Sequence, residues 1–273
     1  MNRLILLFYI LICVGCATRA PQSQHVSQLK SELQESKQIS KVPYILQKDA
    51  FCGPATLAMA LQYRGENLGQ DDLAEKTFIQ KANGTFQGDM IAAARRNGYL
   101  TIPVRNLKSL FKEIEKENPV IVFENLGFSW YPLWHYALVH GYDLNEKVVY
   151  LHTGAEKNKK WDVDKFERTW NRGSYWGMVV IPPGSIAATG TELEHMRSAA
   201  ALEENGMTQK AKLSYEAILK RWPRSYMANI GMGNIHFKLK NYKLAKKYYI
   251  NARQIDPKNS IAPRNIKVLD QYI

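Results

Sequence analysis

Three residues near the C-terminus return at a fixed interval. Ala211, Tyr215 and Pro223 recur as Ala245, Tyr249 and Pro257, each 34 residues later. That spacing is far longer than the period of any helix or strand. It is the length of a supersecondary unit that cannot bury its apolar face alone and must stack on a copy of itself. Both copies carry the same order: a helix, a turn at Asn205-Gly206 or Asn241-Tyr242, a second helix, then Trp222-Pro223 or Asp256-Pro257. The small Ala211 and Ala245 let paired helices approach, and the tyrosines are placed to pack between them. Residues 192–273 are therefore expected to be all helical, with about two repeats and a closing helix over 260–272.

A 34-residue helix-turn-helix period ending in proline resembles tetratricopeptide repeats. The stretch PPGSIAATGTE before it has the proline, glycine and small residues of a connection, which sets a linker over 184–191. Upstream, residues 42–183 read as one mixed domain. Helical patterns cover 53–63, 71–77, 87–97, 107–116 and 163–170; strand-like runs cover 42–46, 120–124, 136–142, 147–151 and 176–181. Helices come first, and most strands cluster later with short turns. That order predicts an α+β fold with an antiparallel sheet, followed by the all-α repeat domain.

The N-terminus begins MNRLILLFYILICVGCA. Its apolar run, from Leu4 to Ile12, is shorter than the ~20 residues that span a bilayer and reads as a secretory signal over 1–15. Val14-Gly15-Cys16 resembles the lipobox of bacterial lipoproteins, although Cys13 stands where leucine is usual. The resemblance implies lipidation of Cys16 and, with Ala17 following it, an outer-membrane location facing the periplasm. Residues 16–41 are rich in Gln, Ser and Lys and are expected to form a flexible tether with a short helix around 26–35. A formal net charge of +12 favours anionic surfaces at long range. No zinc-finger spacing and no basic run interleaved with aromatics points to nucleic acid. No residue set has metal-ligand spacing and no glycine run has the pattern of a phosphate loop, so no cofactor is expected.

Of three cysteines, one leaves with the signal and one carries lipid. Cys52 alone remains in the exported domain, without a disulfide partner. In LQKDAFCGPATLAMALQYRG it stands where a loop becomes a helix, since Pro54 suits a first helical turn. The orphan N–H groups there favour negative charge, so the thiol pKa is expected to be lowered. Gly53 offers no side chain against a substrate backbone. Gln47, five residues upstream, is placed to contribute an amide donor that forms an oxyanion hole with the Cys52 N–H. A base is needed, and His135, His140 and His152 are candidates. His135 and His140 are five residues apart on one strand and point to opposite faces. His135, beside the aromatic run Trp130, Tyr131, Trp134 and Tyr136, is the better base. These aromatics read as core or site wall, with Trp134 placed to grip substrate. Asp143 lies at the far end of the His135 strand and reads as a turn residue; Asp71-Asp72 reads as a helix cap with a solvated acid.

The order Gln–Cys-Gly-Pro-Ala, a long helical stretch, then His-Tyr-Ala-Leu-Val-His-Gly-Tyr-Asp resembles the papain-like cysteine peptidases of the bacteriocin-processing, double-glycine family. The resemblance covers about half the chain. It implies that Gln47 is the oxyanion donor, Cys52 the nucleophile and His135 the catalytic histidine. The family's third residue is usually an aspartate in an Asp-Pro pair, at the end of the strand after the histidine strand. This chain has LHTG there, with His152 in that place. Three arrangements stay open: His152 orients His135, Asp162 or Asp164 reaches in, or the site is a dyad. The expected activity is cleavage of peptide bonds, with the helical repeats recruiting a substrate or protein partner. The competing reading is a catalytically weak, peptide-binding lipoprotein that scaffolds an envelope complex.

Overall fold

The structure, a computed structural model, describes residues 20–273; the expected signal segment, Cys13 and the expected lipidation site Cys16 lie outside the described residues. In chain order the elements begin with β1 (Ser36–Gln38), α1 (Cys52–Tyr63), α2 (Gln70–Thr77), the short pair β2 (Phe78–Ile79) and β3 (Gly84–Thr85), and α3 (Gln87–Arg96). They continue with β4 (Leu100–Val104), α4 (Leu107–Glu115), β5 (Val120–Asn125), β6 (Trp134–Asp143), β7 (Val148–Thr153), β8 (Glu156–Asp162), α5 (Val163–Arg172) and β9 (Gly177–Ile181). Five helices close the chain: α6 (Glu192–Glu204), α7 (Thr208–Arg221), α8 (Tyr226–Lys238), α9 (Tyr242–Ile255) and α10 (Ile261–Leu269).

The main sheet runs β4-β9-β5-β6-β7-β8, with β1 added against β6. Every pairing is antiparallel, so the α+β fold with an antiparallel sheet is as expected. Its central strands are the apolar runs VIVFEN and GMVVI, buried on both faces. Helix α1 is apolar all round and buried from Gly53 to Leu61, the pattern of a helix enclosed by other elements. It lies against β6 where β7 has not yet joined: β6 begins at Trp134, but its pairing with β7 starts only at Leu138. The Thr56 hydroxyl donates to the Tyr136 carbonyl there (3.3 Å), so the helix supplies side-chain donors that the missing strand leaves out.

Three expectations are corrected. The stretch expected to be a tether is, over residues 20–41, a packed strap. Ala20, Val26, Leu33 and Ile39 are buried, and the backbone N–H groups of Gln22 and Ser23 donate to the buried Glu167 carboxylate at 2.9 and 2.6 Å. Few apolar residues suffice because the strap is tied by polar contacts, including the β1–β6 ladder at Ser36–Gln38. Residues 42–46 form no strand; side-chain hydrogen bonds to Val42 and Leu46 and from Tyr44 hold them in place of a ladder. Among the aromatics, Trp130 (79 % exposed) and Tyr131 (71 % exposed) are not core. They form the tip of the β5–β6 hairpin, whose turn is clamped by Asn125 to Gly127, Phe128 and Leu133.

The closing helices obey the 34-residue interval. α7 and α9 begin and end 34 residues apart, as Thr208–Arg221 and Tyr242–Ile255. The Tyr215 and Tyr249 rings fill the space that Gly231 and Gly233 of α8 leave without a Cβ. The stretch 184–191 is docked rather than loose. Buried Glu113 of α4 accepts from the Ala188 N–H (3.1 Å), the Thr189 N–H (2.7 Å) and the Thr189 hydroxyl (2.5 Å). The outer edge of β4 is covered by α6, where the Thr101 N–H donates to Ser198 Oγ at 2.8 Å. Sheet and first C-terminal helices share one apolar core.

Candidate active site

Cys52 is the first residue of α1. The backbone N–H groups of Tyr136, Gly53 and Cys52 itself lie near enough to its sulfur to pull the thiol pKa down. The Tyr136 contact matters most for placement, because it sets the thiol beside the peptide joining His135 to Tyr136 at the open edge of β6. Cys52, His135, Gln47, Trp134 and Tyr136 line one cleft of about 820 Å³. Three of the residues singled out as nucleophile, base and oxyanion donor thus meet at one surface.

The third position is corrected. His135 Nε2 lies 2.7 Å from Thr153 Oγ1, at the end of β7. His152 precedes Thr153 on the same strand, so its side chain leaves on the opposite face. It is fully buried, with its ring centroid 4.3 Å from that of His140. Its Nε2 is 3.3 Å from the Val42 carbonyl, and its Nδ1 accepts from the Asn158 N–H at 3.1 Å. His152 therefore holds the strap leading to Gln47 and does not touch His135. Asp162 caps α5 through the Lys165 N–H, and Asp164 pairs with Arg168; neither reaches in. Asp143 accepts from the N–H groups of Asn145 and Glu146 and is a turn residue. Asp72 accepts from the Gly69 N–H, and Asp71 pairs with Lys48.

Gly53 is buried rather than open to the cleft. A Cβ there would lie 2.8 Å from Thr85 Cβ, so the glycine admits the β2–β3 hairpin against α1, not a substrate backbone. Trp134 does wall the cleft: half of it is exposed, and its ring stacks on Phe123 with centroids 5.0 Å apart. Gln47 lines the cleft, and among the described residues its side chain has no hydrogen-bonding partner. Its two neighbours are gripped by the single side chain of Gln70, which donates to the Leu46 carbonyl and accepts from the Lys48 N–H, each at 2.9 Å.

The electrostatics reverse one expectation. Burial pushes the Cys52 thiol pKa up, outweighing the three N–H groups that pull it down. The helix N-terminus acts in the expected direction, but desolvation is larger. Burial, helped by the Lys159 charge, pushes His135 down to about 4. Thiol and imidazole are both neutral at pH 7.

One further residue belongs here that nothing in the sequence singled out. Glu124 is paired with His135 across the β5–β6 ladder, fully buried, and pushed up by burial to about 7. One carboxyl oxygen accepts from the Thr169 hydroxyl at 2.6 Å; the other has no hydrogen-bond partner among the described residues. Its signal is a lone acid in an apolar strand, VIVFEN, opposite the histidine. That relation depends on a register that spacing along the chain does not reveal. Among the described residues, no group of three or more His, Cys, Asp or Glu side chains could hold a metal ion.

Solved structures with a similar fold include a C39-like peptidase from Bacillus anthracis (18 % identity, covering 56 % of this chain and all of that one, TM-score 0.46). Another is the peptidase domain of Streptococcus ComA, a bifunctional ABC transporter (24 %, 52 % and 96 %, TM-score 0.43). A third is a double glycine motif protease from an AMS/PCAT transporter in complex with the leader peptide (22 %, 55 % and 94 %, TM-score 0.39). No curated protein matches the chain at a significant level. The family model of the Peptidase_C39-like family matches residues 39–178. That segment is just over half of the chain and carries Gln47, Cys52, His135 and Thr153: the chain belongs to the C39-like peptidase family.

Proposed function

We propose that the chain is an envelope-anchored cysteine peptidase that cleaves peptide bonds through Cys52 and His135. The observation that carries this reading is the shared cleft, with the thiol held against the Tyr136 N–H and the imidazole next to it held by Thr153. With Nε2–H directed to Thr153 Oγ1, the neutral ring keeps its lone pair on Nδ1 for the thiol proton. As that proton moves to Nδ1, Cys52 Sγ bonds to the substrate carbonyl carbon. The resulting oxyanion is met by the Cys52 N–H and the Gln47 amide. His135 then returns the proton to the leaving amine, leaving a thioester that water hydrolyses with the same base. Lipid on Cys16 would hold the enzyme at the outer membrane facing the periplasm, and the tetratricopeptide-like helices would recruit substrate or a protein partner.

A second reading has its own support. Neutral thiol, neutral imidazole and an uncharged Thr153 make a resting site with no preformed thiolate, which suits a peptide-binding protein of low catalytic power scaffolding an envelope complex. Alkylation of the full chain by iodoacetamide between pH 5 and 10 separates the two. In the peptidase reading, Cys52 reacts slowly at neutral pH and faster as pH rises past 9, and His135→Ala lowers the neutral-pH rate about tenfold or more. A rate unchanged by His135→Ala at every pH would favour the binding reading.

A further inference from the structure

A second depression lies where the peptidase fold meets the first C-terminal helix. It encloses about 230 Å³, and three arginines from three elements face it: Arg95 of α3, Arg105 after β4, and Arg197 of α6. Among the described residues, none of the three forms an ion pair. Arg95 is half-buried, and its Nε donates to Thr101 Oγ1 at 2.9 Å, which fixes the guanidinium and leaves its terminal amino groups unspent. Trp176 makes one wall; its carbonyl is fixed by the Phe123 N–H and the Trp170 indole. The single acid on the lining, Glu194, is turned to the Thr191 N–H and hydroxyl as a helix cap. Glu204 is the one acid whose charge is felt at Arg95, and it borders the neighbouring depression rather than this one. The arginines therefore outnumber the acids around the pocket by two.

Residues on one face of α3 lead from this pocket to the candidate active-site cleft. Gly88, at the start of α3, lines both the cleft and an intermediate depression of about 310 Å³. Ile91 and Arg95 line both that depression and the arginine pocket. Seven residues of helix separate Gly88 from Arg95, a rise of roughly 10 Å. An extended peptide covers that distance in about three residues. Guanidinium groups take carboxylates by paired, charge-assisted hydrogen bonds.

We infer that the Arg95–Arg105–Arg197 pocket binds a carboxylate side chain of the substrate, about three residues beyond the Gly88 rim of the cleft. The inference rests on the peptide-cleft reading above. It also gives α6 a role in recognition, because Arg197 lies outside the family-matched segment.

The test is fluorescence anisotropy with the full chain carrying Cys52→Ala, so that bound peptide is not turned over. The probes are fluorescein-labelled decapeptides of small neutral residues, each with one Glu or, as its control, one Gln at a given position. Glu at one position or two adjacent positions should bind about tenfold tighter than Gln. Arg105→Gln/Arg197→Gln should reduce that preference to twofold or less, while Arg253→Gln/Arg264→Gln, removing equal charge elsewhere, should keep it. A uniform Glu preference at all positions, no preference at any, or a preference kept in Arg105→Gln/Arg197→Gln overturns the inference. Arginine-dependent binding without cleavage by the Cys52-containing chain would overturn the peptidase reading and leave the pocket standing.

Discussion

Two buried groups at the candidate site, His135 and Glu124, carry opposite pH dependences. His135 titrates near 4 in the folded chain against about 6.5 when unfolded. Between those values the unfolded state binds more protons, so this group's contribution is present above pH 6.5 and lost as pH falls through 4. Glu124 titrates near 7 when folded against about 4.3 when unfolded. Here the folded state binds more protons in between, so stability drops as pH rises from 4.5 through 7. Glu124→Gln keeps an acceptor for the Thr169 hydroxyl and removes only the ionisation. Its stability relative to the parent chain, from urea unfolding, should rise between pH 5 and pH 8 by up to about 3 kcal/mol. An unchanged difference at the two pH values would show that Glu124 is not held protonated by burial. The lone acid in VIVFEN is visible along the chain but its pairing with His135 is not, whereas Cys52 and His135 stood out by residue type and local pattern. The third position was legible only to within one residue. Strand alternation gives the two neighbours His152 and Thr153 opposite faces, and only the ladder says which face meets His135.

Among the elements, the strongly patterned ones were legible: α1 to α5 fall within a few residues of their expected bounds, as do β5, β6, β7 and β9. Two of the strands that the sequence did not show, β4 and β8, lie at the ends of the main sheet. β4, LTIPV, carries a proline that argues against a strand, but Pro103 pairs antiparallel with Met178 on a strand whose outer side is closed by α6. β8, EKNKKWD, is nearly all polar because it is an exposed edge, where charge guards against further pairing. The packing of α1 makes a sharper demand. Gly53→Ala forces a Cβ against Thr85, in a hairpin that also holds the Tyr136 hydroxyl through the Thr85 carbonyl at 3.1 Å. Overpacking of this kind should cost about 1–3 kcal/mol in urea unfolding and should alter the near-ultraviolet signal of the aromatics around Tyr136. A fully stable Gly53→Ala chain with an unchanged spectrum would mean that the hairpin does not seat where described.

At the scale of the whole molecule, the linker expected between two domains is part of a joint. Glu113 accepts four hydrogen bonds, three from residues 188–189 and one from the Asn118 amide at 2.8 Å. Ser198 and the buried His195, whose Nε2 accepts from the Ala187 N–H at 3.1 Å, close the same seam. Composition suggested a linker because Pro, Gly and small residues are common in loops. It could not show that a buried carboxylate from α4 would meet the backbone there. The chain should unfold in one thermal transition. Glu113→Ala strips four donors of their partner, at a cost on the order of 3–5 kcal/mol, and should separate the helical repeats as a second transition. Two transitions in the parent chain would contradict the shared core.

In the peptidase reading, Cys52 and His135, held by Thr153, form a working catalytic pair. The most direct measurement is mass spectrometry of a proteome-derived peptide library after incubation with the full chain. New peptide termini are expected from the parent chain, none from Cys52→Ser or His135→Ala, and about tenfold fewer or less from Thr153→Val, which removes the partner of Nε2. An absence of new termini with the parent chain, or cleavage that survives Cys52→Ser, would contradict it.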